Sequence, residues 1–215
     1  MLEILGIAFQ RAGRKRQNAA ARGQLLRFAR LVHDRHDVLL PAFEQRLDQR
    51  LAAFTSFIAY SGSFRVDAGD VVHSVAKLFF AYGLGNAMTF PLSVGATTVL
   101  NADRPTPDGV AALLRKHPIT VFFAVPTFYA GFLASPNAPK REELKIRRCL
   151  SAGEALPEGI ARAFFDRYGV EVSDGLGTTE MLHIFLTNRP GQTTYGTTGK
   201  AVPGSDIRIG GEAGN

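Results

Sequence analysis

Ile119-Thr120-Val121-Phe122-Phe123-Ala124-Val125 is the stretch on which the fold turns. β-Branched and aromatic residues predict a strand, and both of its alternating faces are apolar. A strand with no polar face belongs inside a parallel sheet covered on both sides. Pro126 follows at once; it lacks an N–H and suits the first position of a helix, predicted here over residues 126–134. Upstream, Thr106 before Pro107 marks a capped helix over 107–117, with strands at 96–100 and 71–75 and a helix at 84–92 after the Gly83/Gly85 turn. Downstream, strands are predicted at 146–150 and 170–173, separated by a helix over 157–168 that stops at Gly169. This rhythm predicts an α/β fold, a parallel doubly wound sheet of βα units. Ligands in such sheets bind beyond the carboxyl ends of the strands. The segments at 151–154 and 174–177 both follow strands and are expected to line one crevice.

The 215 residues and their 46% apolar fraction suit one domain of ordinary size. No run of 18 apolar residues is present, so no spanning helix and no membrane partner are expected. Met1–Gln10 is apolar, but the basic residues follow it rather than precede it, the wrong order for a secretory signal. An Arg-rich start leaves a transit peptide open. Cys149 is the only cysteine, which excludes an internal disulfide and a Cys-based zinc site. It reads as a small buried residue and agrees with a cytoplasmic location.

The charge is uneven. Residues 1–50 hold 10 Lys/Arg against 5 Asp/Glu, whereas the other 165 residues hold 15 against 14. Apolar residues recur every three or four positions from Leu25 to Leu51, with Pro41 splitting the pattern. Residues 23–54 are therefore expected to be helical, inside a loosely attached N-terminal helical extension, residues 1–56. Arg11, Arg14, Lys15 and Arg16 read as a solvated tail; a nucleic-acid surface is the rival reading, without a zinc-finger or RNA-binding signature to support it. Nucleic acid is thus not an expected partner. His33 and His36 read as a solvated helical face rather than a metal clasp. The phenylalanines are assigned to the core, except for Phe80.

The chemistry is concentrated in Ser173-Asp174-Gly175-Leu176-Gly177-Thr178-Thr179-Glu180-Met181-Leu182-His183. Glycines let a ligand approach the backbone, and hydroxyls followed by a carboxylate suit a nucleotide phosphate and its hard metal ion. A plain polar turn is the alternative.

Three further segments carry related wording: Lys77-Leu78-Phe79-Phe80-Ala81-Tyr82-Gly83-Leu84-Gly85-Asn86, Ser151-Ala152-Gly153-Glu154-Ala155-Leu156-Pro157, and Tyr195-Gly196-Thr197-Thr198-Gly199 with Pro203-Gly204. In this order they resemble the adenylate-forming acyl-CoA ligases, and most of all the benzoate-CoA ligase group, over residues 57–210. The resemblance implies ATP/AMP, Mg²⁺ and CoA as cofactors and an aromatic carboxylate as substrate. It implies that Thr179 faces the α-phosphate and Glu180 holds Mg²⁺, as the catalytic pair. It places the nucleotide against Gly153, Glu154 and Ala155, and against Asp174, Gly175, Leu176 and Gly177, with Asp174 accepting from the adenine amino group. Ala81, Tyr82 and Gly83 become one wall of a flat aryl slot, with Ala152 and Gly177 lining it and His183 and Ile184 closing the other side. For His183 the bland alternative is a satisfied core histidine.

Tyr60-Ser61-Gly62-Ser63-Phe64-Arg65 echoes the family's phosphate-wrapping loop only in Ser-Gly-Ser. Residues 57–215 are therefore expected to be the central, truncated part of the adenylate-forming domain, without the loop and without the lid lysine. Such a piece is expected to bind nucleotide better than it turns over acyl-CoA. A non-catalytic module retaining part of the nucleotide or aryl pocket is the competing reading.

Overall fold

The computed structural model describes residues 64–181, 183–202, 205, 207 and 208. The expected N-terminal extension, the Tyr60–Ser63 part of the loop echo, Leu182 and Pro203-Gly204 lie outside the described residues.

Seven strands form one sheet: β1 (Val71–Ser74), β2 (Thr97–Thr98), β3 (Val121–Ala124), β4 (Arg148–Ala152), β5 (Val172–Gly177), β6 (Ile184–Thr187) and β7 (Lys200–Ala201). The spatial order is β2-β1-β3-β4-β5-β6-β7. Strands β1 to β5 pair in parallel, and β6 and β7 add antiparallel. The parallel doubly wound part agrees with the sequence reading. The antiparallel hairpin does not appear in that reading, because Gly175 and Gly177 look like loop residues. They belong instead to β5, and Asp174 pairs in register with Ser151.

The helices are α1 (Ala81–Leu84), α2 (Phe90–Val94), α3 (Pro107–Lys116), α4 (Pro126–Ala134) and α5 (Glu158–Tyr168). Thr106 caps α3 by accepting from the Gly109 N–H at 3.1 Å, Pro107 opens it, and Arg115 and Lys116 sit in its last turn. Between α1 and α2 the chain widens into a π-helical turn, Gly85–Thr89. Thus the predicted helix at 84–92 is longer and interrupted. The predicted strand at 96–100 shrinks to Thr97–Thr98 on the sheet edge.

Strand β3 is buried along its whole length, as its two apolar faces require. Phe122, Cys149 and Val172 face α3, α4 and α5 together with Val110, Leu114, Phe128, Phe132, Ala161 and Phe164. Val72, Val121, Phe123, Leu150, Ala152 and Ile184 face the other way, under Tyr82 of α1 and Val94 of α2. Cys149 is buried, and its surroundings push the thiol far above its ordinary range. Phe79 departs from the core assignment: it is 81% exposed and stacks obliquely on exposed Phe80. Phe165 is also partly exposed, on the outer side of α5.

At the amino ends of the strands, Arg147 grips Asp70 with both Nε, at 2.8 Å, and Nη2. Thr120 Oγ1 donates to the same carboxylate at 2.7 Å, and the Asp67 N–H donates at 2.7 Å. Burial alone raises the Asp70 pKa, but Arg147, Asp67 and Thr120 together hold it below the usual carboxylate value. This clamp joins the entries to β1, β3 and β4 at the end opposite the candidate site.

Candidate active site

Strand order reverses at β1 and β3, since the chain leaves β1 toward β2 and then crosses back. In such sheets a crevice opens at the carboxyl ends near the reversal. The segment that leaves β1 places Tyr82 there: its hydroxyl donates to the Leu150 carbonyl at 3.1 Å and the Ala124 carbonyl at 3.3 Å, bridging β3 and β4.

Register brings the other segments to the same edge. Ser151 pairs with Asp174 and Ala152 with Gly175, so the turn after β4 and the end of β5 are adjacent. Gly153 turns with φ +97°, and Gly153, Glu154 and Ala155 are exposed. Such a backbone is open to a flat ligand, and φ in this region favours glycine. At the end of β5 the ladder shifts register between Leu176 and Gly177. A Cβ on Gly177 would lie 2.0 Å from the His183 carbonyl oxygen, so only glycine lets the hairpin close.

Side chains alternate across the strands, and this divides the site in two. Ser151 and Asp174 point to the face that carries α5; Ala152 and Gly175 point to the face that carries α1. On the first face Asp174 is buried. Its Oδ2 accepts from the Leu156 N–H at 3.3 Å, while its Oδ1 and the Ser151 Oγ have no partner among the described residues. Burial raises the Asp174 pKa, against the Leu156 and Gly175 N–H groups, which lower it. A buried acceptor that lacks a donor suits a ligand N–H.

On the second face Tyr82, His183, Ala152 and Ile184 come together, with Gly83 buried and Ala81 half-buried at the start of α1. The His183 ring lies on Tyr82, centroids 5.2 Å apart and 28° from parallel, with its edge to Phe90 at 4.7 Å. No ring fits between rings this close. Tyr82 and His183 therefore form one wall, rather than the two opposing sides expected from sequence. Burial lowers the His183 pKa to about 3, against the Tyr82 backbone carbonyl, so the imidazole is neutral at physiological pH.

Thr178, Thr179 and Glu180 sit exposed on the hairpin tip. Thr178 Oγ1 accepts from the Met181 N–H at 3.2 Å, which fits the plain capping role. Thr179 and Glu180 make no side-chain hydrogen bond or ion pair with the described residues, and Leu176 is exposed beside them. Among the described residues no three His, Cys, Asp or Glu side chains gather as a metal cluster. Mg²⁺ fits a single carboxylate nonetheless, because it keeps waters and takes its other ligands from substrate phosphates.

Sequence reasoning passed over two residues of this edge, Ser151 and Asn86. Both are fully buried polar side chains. The signal for Asn86 was available: a lone amide among the mostly apolar residues from Leu84 to Phe90.

The open α/β sheet thus carries under-satisfied polar side chains on one side of its strand ends and an aromatic wall on the other, at the edge where sheets of this class bind ligands. The AMP-binding enzyme family model matches residues 48–215, and the chain belongs to that family. It is 60% identical over 141 residues to the benzoate–CoA ligase of Thauera aromatica, covering 66% of this chain and 27% of that protein. It is 50% identical over 147 residues to the 4-hydroxybenzoate–CoA/benzoate–CoA ligase of Rhodopseudomonas palustris, covering 67% of this chain and again 27% of the relative. The chain thus spans about a quarter of the length of these curated relatives. Its fold matches a benzoate CoA ligase crystal structure from Burkholderia xenovorans LB400 with TM-score 0.76 and 53% identity, over 78% of this chain and 34% of that one. The anthranilate CoA ligase AuaEII in complex with anthranoyl-AMP matches with TM-score 0.72 and 30% identity, over 78% and 32%. Among the described residues no helix is long and apolar enough to cross a membrane.

Proposed function

We propose that this chain carries the aryl-acid wall and the nucleotide edge of an AMP-forming acid–thiol ligase of the benzoate type. The observation that supports it most is the division of one sheet edge into a buried, under-satisfied carboxylate on one face and an aromatic wall on the other. An aryl ring packs on Tyr82 and His183 over Ala152, Gly175 and Ile184. Adenine lies on the turn of Gly153, Glu154 and Ala155, and its amino group donates to Asp174 Oδ1. Leu176 and Gly177 then run beneath the nucleotide.

The two substrates thereby meet over the strand ends, where the aryl carboxylate attacks the α-phosphorus of ATP and pyrophosphate leaves. CoA thiol then displaces AMP from the acyl-adenylate. Thr179 donates its hydroxyl to an α-phosphate oxygen. Glu180 holds Mg²⁺, which when bound screens the phosphate charge. The neutral His183 adds no cationic charge to the wall, so ring contact rather than ion pairing selects the acid. The lone buried Cys149 supports a cytoplasmic setting.

Titration of the 215-residue chain with AMP and, separately, benzoate, each in the presence of Mg²⁺ and followed by amide chemical shifts, tests this reading. AMP is expected to shift Gly153 and Asp174, and benzoate to shift Tyr82 and His183. Absence of both sets of shifts at millimolar ligand overturns it.

A further inference from the structure

At the amino ends of β4 and β5, across the sheet from the candidate site, a cavity of about 300 Å³ opens beside the end of α5. Arg141, Arg147, Tyr168 and Gly169 line it, with Leu144 and Ile146 on its apolar side. Arg141 makes no side-chain hydrogen bond or ion pair with the described residues. Its guanidinium lies against the Gly169 backbone, where a Cβ would come within 2.6 Å of Nη2. Arg147 engages the Asp70 clamp through Nε and Nη2, and its Nη1 takes part in none of these bonds. Tyr168 is 3% exposed, and its hydroxyl has no partner among the described residues. An adjoining cavity of about 290 Å³ shares Arg147, Gly169 and Val170 with the first. Arg148 lines that one, and its buried Nε is likewise without an acceptor. Burial, and then the neighbouring Arg147 charge, work against the Arg148 cation. Unpartnered buried polar groups are rare and costly, and an absent ion is one explanation for them. Here every idle group can donate, so what the region lacks is an acceptor. A cation beside the C-terminal end of α5 is favourable in itself and would account for Arg141 alone. It leaves the Tyr168 hydroxyl and the Arg148 Nε unexplained.

We propose that the cavity at the amino ends of β4 and β5 is an anion site for a small phosphate-bearing ligand, with Arg141 as its principal contact and Arg147 Nη1 and the Tyr168 hydroxyl as further donors. The planar guanidinium fork matches the spacing of phosphate oxygens, and charge-assisted bonds of this kind are the strong ones. Asp70 holds one edge of the Arg147 fork and so orients the rest of it. The cavity is larger than a bare phosphate, and Leu144 and Ile146 offer an apolar wall to the ligand's organic part. This site does not depend on the nucleotide and aryl reading of the carboxyl edge.

The test uses the 215-residue chain and inorganic phosphate as the probe, with chloride at equal ionic strength as the control. Amide shifts of Gly169 and Val170 report occupancy of this cavity, and those of Gly153 and Asp174 report the carboxyl edge. Phosphate is expected to shift Gly169 and Val170 in a saturable way that chloride does not reproduce. Arg141→Gln, at an exposed position, is expected to weaken phosphate about tenfold at these amides and to leave AMP and benzoate affinities unchanged. Tyr168→Phe, which keeps the ring, is expected to weaken phosphate severalfold. Absence of shifts at Gly169 and Val170 with millimolar phosphate overturns the inference, as do equal shifts with chloride. So does a lowered melting temperature in Arg141→Gln with phosphate affinity unchanged in both variants, since Arg141 then serves only the end of α5. None of these outcomes touches the reading of the carboxyl edge.

Discussion

The imidazole of His183 lies against the phenol ring of Tyr82, 5.2 Å between centroids, although Tyr82 stands on α1 and His183 in the turn just before β6. Tyr82 is held from behind by the Leu150 and Ala124 carbonyls, and His183 by Asn86 and Phe90. The pair is thus a preassembled surface rather than two side chains awaiting a ligand. Replacing Tyr82 by Ala should remove half of it. Benzoate binding is expected to weaken by roughly 1–3 kcal/mol, the worth of one lost aromatic contact surface. Isothermal titration measures it, and an unchanged affinity means that the ring binds elsewhere.

Asp174 separates stability from binding. Its raised pKa means that it contributes stability while protonated, below the ordinary carboxylate value of 3.8, and that this is lost as pH rises through the elevated folded value. At neutral pH Asp174→Asn should therefore raise the melting temperature, by about 2–4 °C for each kcal/mol recovered in a chain of this size. Asp174→Ala should weaken AMP by about 1.5–3 kcal/mol, the range for a hydrogen bond to a charged group. Calorimetry and AMP titration on the same samples check both, and an Asn variant less stable than the unsubstituted chain contradicts the burial argument.

Buried histidines set the acid limit. His183 drops from an ordinary 6.5 to about 3, and burial lowers His73 in the same direction. For a base with a depressed pKa, stability is complete above the unfolded value and declines as pH falls below it. Below about pH 6.5, His183 alone should cost about 1.4 kcal/mol per pH unit until its folded value is reached. Urea unfolding from pH 7 to pH 4 should show this slope, and His183→Phe should flatten it. A slope unchanged in that variant assigns the acid sensitivity elsewhere.

Asp70 answers to a different window. Its folded pKa is depressed, so its contribution is present above the ordinary 3.8 and lost only as pH falls through the lower folded value. Asp70→Asn should destabilise the fold at neutral pH by about 1.5–3 kcal/mol, through loss of the charged hydrogen bonds from Arg147 and Thr120. Because the clamp lies at the far end of the sheet, AMP and benzoate affinities should not change where the variant is folded. An affinity loss at constant fold would show that the two ends are coupled.

Glu180 provides the metal test. Glu180→Gln should leave benzoate affinity and melting temperature unchanged, since the side chain is exposed and unbonded among the described residues, and should abolish the gain in ATP affinity on adding Mg²⁺. Equal Mg²⁺ enhancement in both forms places the ion on other groups.

Local chemistry made much of this legible. A doubly apolar run such as residues 119–125 has only one stable setting, a strand covered on both faces, and Thr106-Pro107 and Gly169 bound helices through capping and backbone preference. The order of such signals also determined that the segments at 151–155 and 174–180 share the carboxyl edge. Family wording placed the candidate residues in sequence but said nothing of how they face one another.

Tertiary structure alone decided the rest. Asp174-Gly175-Leu176-Gly177 reads as a loop because glycine and aspartate disfavour strands. Yet ladder bonds to β4 and β6 pull the segment into β5, where cross-strand pairing outweighs local preference. That extension carries strand alternation to the end of the site, and so sends Asp174 to one face and Gly175 to the other. Asn86 beneath His183 is likewise a meeting of residues far apart in the chain. Local propensity acts over a few neighbouring residues, whereas such meetings are fixed by packing across the whole sheet. The chain sequence named the groups, and the folded sheet determined which of them share a face.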